Sequence, residues 1–167
     1  MNDRASQLRA CLIRNIESAD AVRETREPLY DSLSARLSPG TAARKLGASV
    51  DTVPPGQRSC PYHFHHAQEE MFVVLEGCGS LRVAGEMLAI VAGDVIFIPP
   101  GPEYPHQIIN TSQAPLRYLS IGTRESPEIV EYPDSRKFLA VSVQDGTPAF
   151  RTIQHQADSV DYWAGEP

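Results

Sequence analysis

The sequence predicts an all-β protein built as a jelly-roll barrel, a double-stranded β-helix, with extensions at both ends. Three observations carry this prediction. Short apolar segments alternate with polar residues at the period of a strand. Fourteen prolines and eleven glycines punctuate those segments at fairly regular intervals, as in β-sandwiches and barrels. The 167 residues suit one domain with one core.

In chain order, residues 1–43 read as an N-terminal extension. Leu8, Leu12 and Ile16 fall four apart with charges between them, a spacing that permits a short helix capped by Asp3 or Ser6, or an arm. Pro28 and Ser38-Pro39-Gly40 mark the transition. From residue 44 to 145 the text is that of a barrel. Leu46, Ala48 and Val50 alternate with Gly47 and Ser49, and Pro54-Pro55-Gly56 ends that strand. Strands follow at 62–67, 71–76, 80–83, 87–91, 95–98, 106–109 and 116–121, with turns at Gly77, Gly85 and Gly93-Asp94 and a Pro-rich loop over 99–105. Residues 138–143 are a weaker strand. Eight short antiparallel strands suffice for a two-sheet jelly roll. Residues 146–167 read as a C-terminal strap whose Tyr162 and Trp163 dock on the barrel.

Composition excludes several classes of function. Net charge is −6, which argues against nucleic acid or an anionic membrane as partner. The longest apolar runs, such as Met71 to Leu75, are strand-length and far short of the ~20 residues of a membrane span. Three cysteines, Cys11, Cys60 and Cys78, are odd in number and match no zinc spacing. With Asn2-Asp3-Arg4 at the start and no apolar leader, they fit a reduced, cytoplasmic setting.

The chemistry is concentrated in four residues. In His63-Phe64-His65 the two imidazoles are two apart and share one face of a strand. Glu70 heads the apolar run Met71 to Leu75, where an inward carboxylate is costly unless paired or bound to a metal. His106 opens a strand after the Pro/Gly loop. Three imidazoles and one carboxylate are a mixed N/O set for one divalent ion: iron, manganese, zinc, nickel, cobalt or copper. Four protein ligands leave coordination positions for water, dioxygen or a bidentate substrate. Glu69 competes with Glu70 for the carboxylate role, and the spacing to Gly77 favours Glu70.

The paired motifs resemble the two signatures of the cupin superfamily. Gly56, six residues, His63-Phe64-His65, four residues, Glu70, six residues and Gly77 resemble the first. Gly93, five residues, Pro99-Pro100-Gly101, four residues, His106, three residues and Asn110 resemble the second. The Gly56–His63 gap is one residue longer than the usual pattern and the Gly101–His106 loop two residues longer, which affects the rim more than the ligands. Val53-Pro54-Pro55-Gly56, the segment from Tyr132 to Lys137 and the ending Asp161 to Glu166 are similar to a bacterial group of single-domain cupins. Some of that group carry a sugar-phosphate isomerase label. The resemblance implies a homodimer, a metal on His63, His65, Glu70 and His106, and a small-molecule ligand or substrate.

The remaining candidates read as structure. Alternation turns His66 and Gln107 away from the ligand face. Asn110 suits side-chain bonding to a turn. Phe72, Phe97, Ile98 and Ile108 read as core that can line the pocket, and Tyr62 and Tyr104 as rim. Cys60 reads as a small buried residue rather than an extra ligand. Arg58, Arg82 and Arg117 are anion-binding types, but Arg82 and Arg117 sit between apolar neighbours and turn to solvent. The expected function is metal-dependent chemistry on a small polar molecule, isomerase-like or dioxygenase-like, with no catalytic base identifiable. The alternative is a non-catalytic module that binds a sugar or organic acid.

Overall fold

The computed structural model describes residues 3–144 and 146–167. Its strands are β1 (Val22–Arg26), β2 (Tyr30–Arg36), β3 (Leu46–Val53), β4 (Phe64–His65), β5 (Glu70–Glu76), β6 (Cys78–Val83), β7 (Glu86–Val91), β8 (Val95–Ile98), β9 (His106–Ile109), β10 (Leu116–Thr123), β11 (Glu128–Tyr132), β12 (Lys137–Gln144) and β13 (Thr147–His155). One helix, α1 (Asp3–Leu12), precedes them. One sheet runs β1-β2-β3-β10-β5-β8. Facing it are two smaller sheets, β7-β6-β9 and β13-β12-β11-β4. A single bridge between His63 and His106 joins them, made by reciprocal backbone bonds: His63 N–H to His106 C=O at 3.1 Å and His106 N–H to His63 C=O at 2.8 Å. The architecture is the jelly roll the alternation predicts.

The inner faces of the sheets pack Val53, Val74, Leu81, Ile90, Ile108 and Leu116 into one core with Phe72 and Tyr118. Sequence period decides who enters: Phe72 and Val74 are buried, and Met71 and Val73 between them are not. Likewise Ile98 is buried and Phe97 is 66% exposed. Phe97 therefore neither lines the pocket nor enters the core. Turn chemistry fixes the registers. Ala84 and Gly85 both have positive φ, 49° and 85°, as a two-residue hairpin between β6 and β7 requires. Gly77 has φ 80°, and a Cβ there would collide with the Pro115 carbonyl.

The ends of the chain differ from expectation in detail. The N-terminal segment forms α1, with Asp3 in its first turn and Ser6 inside the helix, so Ser6 is no cap. The segment also supplies β1 and β2, which extend the large sheet. Their polar, serine-rich text has no apolar alternation to betray it, because β1 is exposed along its whole length. The region 62–67 yields only the two-residue β4. Its other backbone donors go elsewhere: His66 N–H bonds Ile129 C=O at 3.0 Å. In the C-terminal segment β13 pairs with β12. Tyr162 and Trp163 do not dock on the barrel. They pack edge-to-face on each other, ring centroids 4.8 Å apart, and are 83% and 69% exposed. No helix among the described residues is long and apolar enough to cross a membrane.

Asn110 carries the structural role its position predicts. Its Nδ2 donates to Val53 C=O and Ala114 C=O, both at 2.8 Å. Its Oδ1 accepts from Ser112 N–H at 3.0 Å and Ser112 Oγ–H at 2.8 Å. The side chain is fully buried and ties β3 to the β9–β10 turn. Asn110→Ala strands those partners, and the expected loss is about 2–4 kcal/mol. Urea unfolding should show a lower midpoint with an unchanged slope.

Candidate metal centre

His63 and His65 flank Phe64 around β4. Phe64 is buried and points the other way, so the two imidazoles share the inner face. Glu70 opens β5 and lies opposite Gly122 of β10. His106 opens β9 and is held against His63 by their backbone pairing. The four side chains meet inside one end of the barrel.

Their Nε2 atoms converge on one point. Glu70 Oε2 lies 2.9 Å from His106 Nε2, 3.5 Å from His65 Nε2 and 3.8 Å from His63 Nε2. Ligand atoms about 2.1 Å from a shared ion sit ~3.0–3.4 Å apart in octahedral or tetrahedral geometry; the His106 and His65 spacings fall within about 0.1 Å of that range and the His63 spacing is wider. His63, Glu70 and His106 each bring one ligand atom within 4.8 Å of the others, a cluster that could hold an ion. His65 contacts Glu70 but falls outside that mutual group.

The far sides of the His63 and His106 rings set their tautomers. His63 Nδ1–H donates to Pro61 C=O at 2.8 Å and His106 Nδ1–H to Tyr104 C=O at 3.3 Å. A carbonyl can only accept, so the proton sits on Nδ1 and the Nε2 lone pair is free. His65 turns Nδ1 toward Glu128 Oε1, 4.0 Å away. Glu70 Oε2 and His106 Nε2 are buried without a hydrogen-bond partner. Although 2.9 Å apart, both are acceptors while the His106 proton sits on Nδ1, so neither satisfies the other. Unsatisfied buried polar atoms are costly, and a shared cation satisfies both at once. The residues therefore fit a divalent metal.

Electrostatics supports the same donor states. Burial holds the His65 imidazole below its ordinary pKa, against the opposing pull of Glu70. Burial pushes the Glu70 carboxyl up, but the approach of His106 and the field of the three histidines outweigh it, and it ends below the ordinary value. Neutral imidazoles and an ionised carboxylate are the ligating forms. Beside the site, burial pushes the Cys60 thiol up to about 12. Its Sγ is 4.0 Å from His63 Nδ1, the ring's far side, so it is no soft ligand to the cluster.

Sequence reasoning missed Glu128. It is 2% exposed and accepts the backbone N–H groups of His66, Ala67 and Gln68 at 3.0, 3.3 and 2.7 Å. It thereby fixes the loop between His65 and Glu70. The available signal was alternation: Glu128 and Val130 share a face of β11, and Val130 pairs with His65. Asp51 of β3, a second buried carboxyl, was missed as well. His66 turns outward to Glu131 at 2.8 Å, and Gln107 turns away from the cluster to donate to Cys60 C=O at 2.7 Å. Tyr62 is buried, covered by the Arg82 guanidinium 3.8 Å from its ring centre. Arg82 pairs with Asp134, and Arg117 with Glu17 and Glu76.

A cavity of about 250 Å³ adjoins the cluster, with His63, Glu70 and Phe72 at one end and Asp51, Ser59 and Tyr118 on its wall. Through Glu24 and Ser59 it meets a wider cleft of about 840 Å³ beneath Tyr30, Tyr62 and Tyr132. The wider cleft touches none of the four predicted ligands and serves as vestibule.

Fold and site together define a double-stranded β-helix with a histidine–carboxylate cluster inside one end of the barrel. Residues 49–122 match the cupin domain family. The barrel has the cupin fold, and the match runs from β3 to β10. It is 35% identical over 83 residues to an uncharacterised protein of Methanocaldococcus jannaschii, a match spanning 47% of this chain and 64% of that protein's length. It superposes on a candidate sugar phosphate isomerase of Acidithiobacillus ferrooxidans with TM-score 0.77 at 26% identity, covering 92% of this chain and 97% of the other. A cupin-superfamily sugar phosphate isomerase of Silicibacter pomeroyi gives TM-score 0.74 at 22% identity over 87% and 93% of the two chains, a likeness of fold.

If Glu128 orients the ligand loop, Glu128→Gln replaces an acceptor of Gln68 N–H with a donor and loosens His65. Metal affinity, measured by competition with a chromogenic chelator, should fall by about 10–100-fold while circular dichroism stays that of the wild type. Unchanged affinity would remove Glu128 from the site.

Proposed function

We propose that this cupin is a metal-dependent enzyme that isomerises a small hydroxy-carbonyl compound of the sugar-phosphate class, with His63, His65, Glu70 and His106 holding the ion. The observation that carries the reading is the convergence of three Nε2 atoms on Glu70 Oε2, two of these atoms lacking any hydrogen-bond partner, at a cavity that opens to a vestibule. The likeness to the Acidithiobacillus protein over nearly the whole chain supports the substrate class. A bound divalent ion supplies Lewis-acid polarisation of a carbonyl and acidifies the neighbouring C–H.

Asp51 supplies the base. It is 8% exposed and lines the same cavity as His63 and Glu70. Its Oδ2 accepts from Ser49 Oγ–H at 2.9 Å. Burial raises its pKa, opposed by the Ser34 and Ser49 hydroxyls, with the Glu24 charge raising it further. A carboxylate with a raised pKa is the more basic one. The carboxylate takes the proton from the hydroxyl-bearing carbon beside the carbonyl, the hydroxyl proton passes to the former carbonyl oxygen, and return of the first proton to the former carbonyl carbon leaves carbonyl and hydroxyl exchanged. Tyr118, whose hydroxyl is 2.6 Å from Ser59 Oγ, is held neutral by burial and serves as a hydrogen-bonding wall.

The test begins with elemental mass spectrometry of untagged protein. Wild type should carry near-stoichiometric metal, His106→Ala little, and only metal-loaded wild type should interconvert aldose and ketose phosphates. Metal loading with ligand binding but no turnover of any compound would leave a binding module instead.

Asp51 also gives a paired prediction on pH. Its folded pKa is raised, so its ionisation opposes folding: stability is fully present below the unfolded pKa and is lost as pH rises through the folded value. At neutral pH, Asp51→Asn should therefore raise the melting temperature. The same variant should lower turnover by about 10²–10⁴-fold and abolish an acid limb lying above the ordinary carboxylate range.

A further inference from the structure

Next to the cluster, the mouth of the barrel has the opposite electrostatic character. A second cavity of about 310 Å³ is lined by Arg36, Arg124, Ser49, Ser120, Gly47 and Gly122 among others, and no carboxylate lines it. It shares Arg36 and Ser120 with the cavity that ends at His63 and Glu70. The two are successive stretches of one channel.

Strand register explains why these side chains meet. Ser120 of β10 lies opposite Ser49 of β3, and Ser49 opposite Arg36 of β2. Gly122 lies opposite Gly47 on one side and Glu70 on the other. Arg124 follows Gly122 on the same face. Neither Arg36 nor Arg124 has an ion-pair partner within 4.0 Å among the described residues, whereas Arg23, Arg82 and Arg117 each have one. The glycine pair forms the floor. A Cβ at Gly47 would lie 3.2 Å from Arg124 Nε, and one at Gly122 would lie 3.9 Å from Glu70 Oε1. Neither glycine has positive φ, so a backbone requirement does not explain them; cleared space does. With cross-strand Cβ positions about 5 Å apart, the Glu70 carboxylate and the Arg124 guanidinium lie within about 12 Å across that floor.

We propose that Arg36 and Arg124, with the Ser120 hydroxyl, form an anion subsite that takes the phosphate monoester end of the substrate while the carbonyl end lies at the metal cluster. Two guanidiniums offer forked donors matched to several acceptor oxygens and a charge near −2, and the Ser120 hydroxyl adds one more donor; the Ser49 hydroxyl is given to Asp51 Oδ2 and only lines the wall. A span of this length suits a short sugar phosphate laid along the channel. The assignment of the far end to a carbonyl rests on the isomerase reading; the anion subsite itself does not.

The test is isothermal titration calorimetry of the full chain with inorganic phosphate, ribose 5-phosphate, ribose and acetate, on metal-loaded and chelator-stripped wild type. Both phosphates should bind, with or without metal, and ribose should bind at least tenfold more weakly than its phosphate. Arg36→Gln and Arg124→Gln should each weaken phosphate binding about tenfold or more. Arg36→Lys should retain part of it, and Arg117→Gln, on the outer face, all of it. Arg36 and Arg124 are exposed, Arg117 is half-buried and paired with Glu17 and Glu76, and circular dichroism checks the fold of all four variants. Phosphate binding equal in wild type and both glutamine variants overturns the subsite. Acetate binding as tightly, with the same losses, overturns the phosphate assignment. Arginine-dependent phosphate binding without any isomerisation keeps the subsite and removes the isomerase. Isomerisation with KM unchanged in both glutamine variants does the reverse.

Discussion

The site depends on one pair of backbone hydrogen bonds, those exchanged between His63 and His106. They form the only bridge that joins the two smaller sheets among the described residues, and they do so at two of the four proposed ligands. A directly paired position fixes both Cβ vectors, so the two imidazoles face the same volume whatever the loops around them do. The long loops before each histidine are then free to vary in length. The extra residues before His63 and His106 alter the rim and leave the ligand geometry intact. Each loop also returns a carbonyl, Pro61 or Tyr104, to the Nδ1–H of its own histidine. Seam, tautomer and lone-pair direction are thus set by backbone groups and do not rely on further side chains.

This arrangement places polar atoms where the barrel would otherwise bury apolar ones. Glu70 Oε2 and His106 Nε2 are unsatisfied within the protein, and Glu128 and Asp51 are buried carboxyls. The solutions differ. Glu128 is satisfied in full by three backbone N–H groups, the mark of a positioning residue. Asp51 is only partly compensated, and its raised pKa records the deficit. Glu70 is drawn below its ordinary value by the histidines around it. A buried acid with complete satisfaction, one with partial satisfaction and one facing three imidazoles suit three tasks: support, proton transfer and ligation.

How much of this was legible in the sequence follows the same physics. The barrel was legible because half-buried strands alternate, and the candidate site was legible because His63-Phe64-His65, Glu70 and His106 carry uncommon residue types at strand-compatible spacing. β1 and β2 were not legible as strands, since an exposed edge strand and a serine-lined inner face carry no apolar rhythm. Glu128 was hidden because a carboxylate satisfied by backbone donors looks in sequence like any surface acid. Asp51 lies on the strand β3, whose alternation put Val50 and Ala48 inward; in the structure Val50 and Asp51 are both buried, on opposite faces. Cys11, Leu12 and Arg14 lie against the face that carries Ala48, and Ile16 C=O and Glu17 accept from Arg117 beside it, so the N-terminal segment covers what would have been outer surface. Tyr162 and Trp163 mislead in the opposite direction, because aromatic content alone does not specify a partner.

The strands β3 and β10 show how one fold closes at one end and opens at the other. Read along their register, Val53 faces Leu116, Asp51 faces Tyr118, Ser49 faces Ser120 and Gly47 faces Gly122. The first pair is fully buried and plugs the core. Each later pair is more polar or smaller, until the glycines leave bare backbone beside Glu70. Because side chains two apart share a face, this gradient needs only four positions on each strand. The intervening residues remain free to pack the outer surface. Apolar volume at one end supplies the stability that the polar end lacks. The same pair of strands therefore anchors the barrel and forms the wall and floor of the channel, and a substitution in it acts on stability or on ligand according to its distance from Val53 and Leu116.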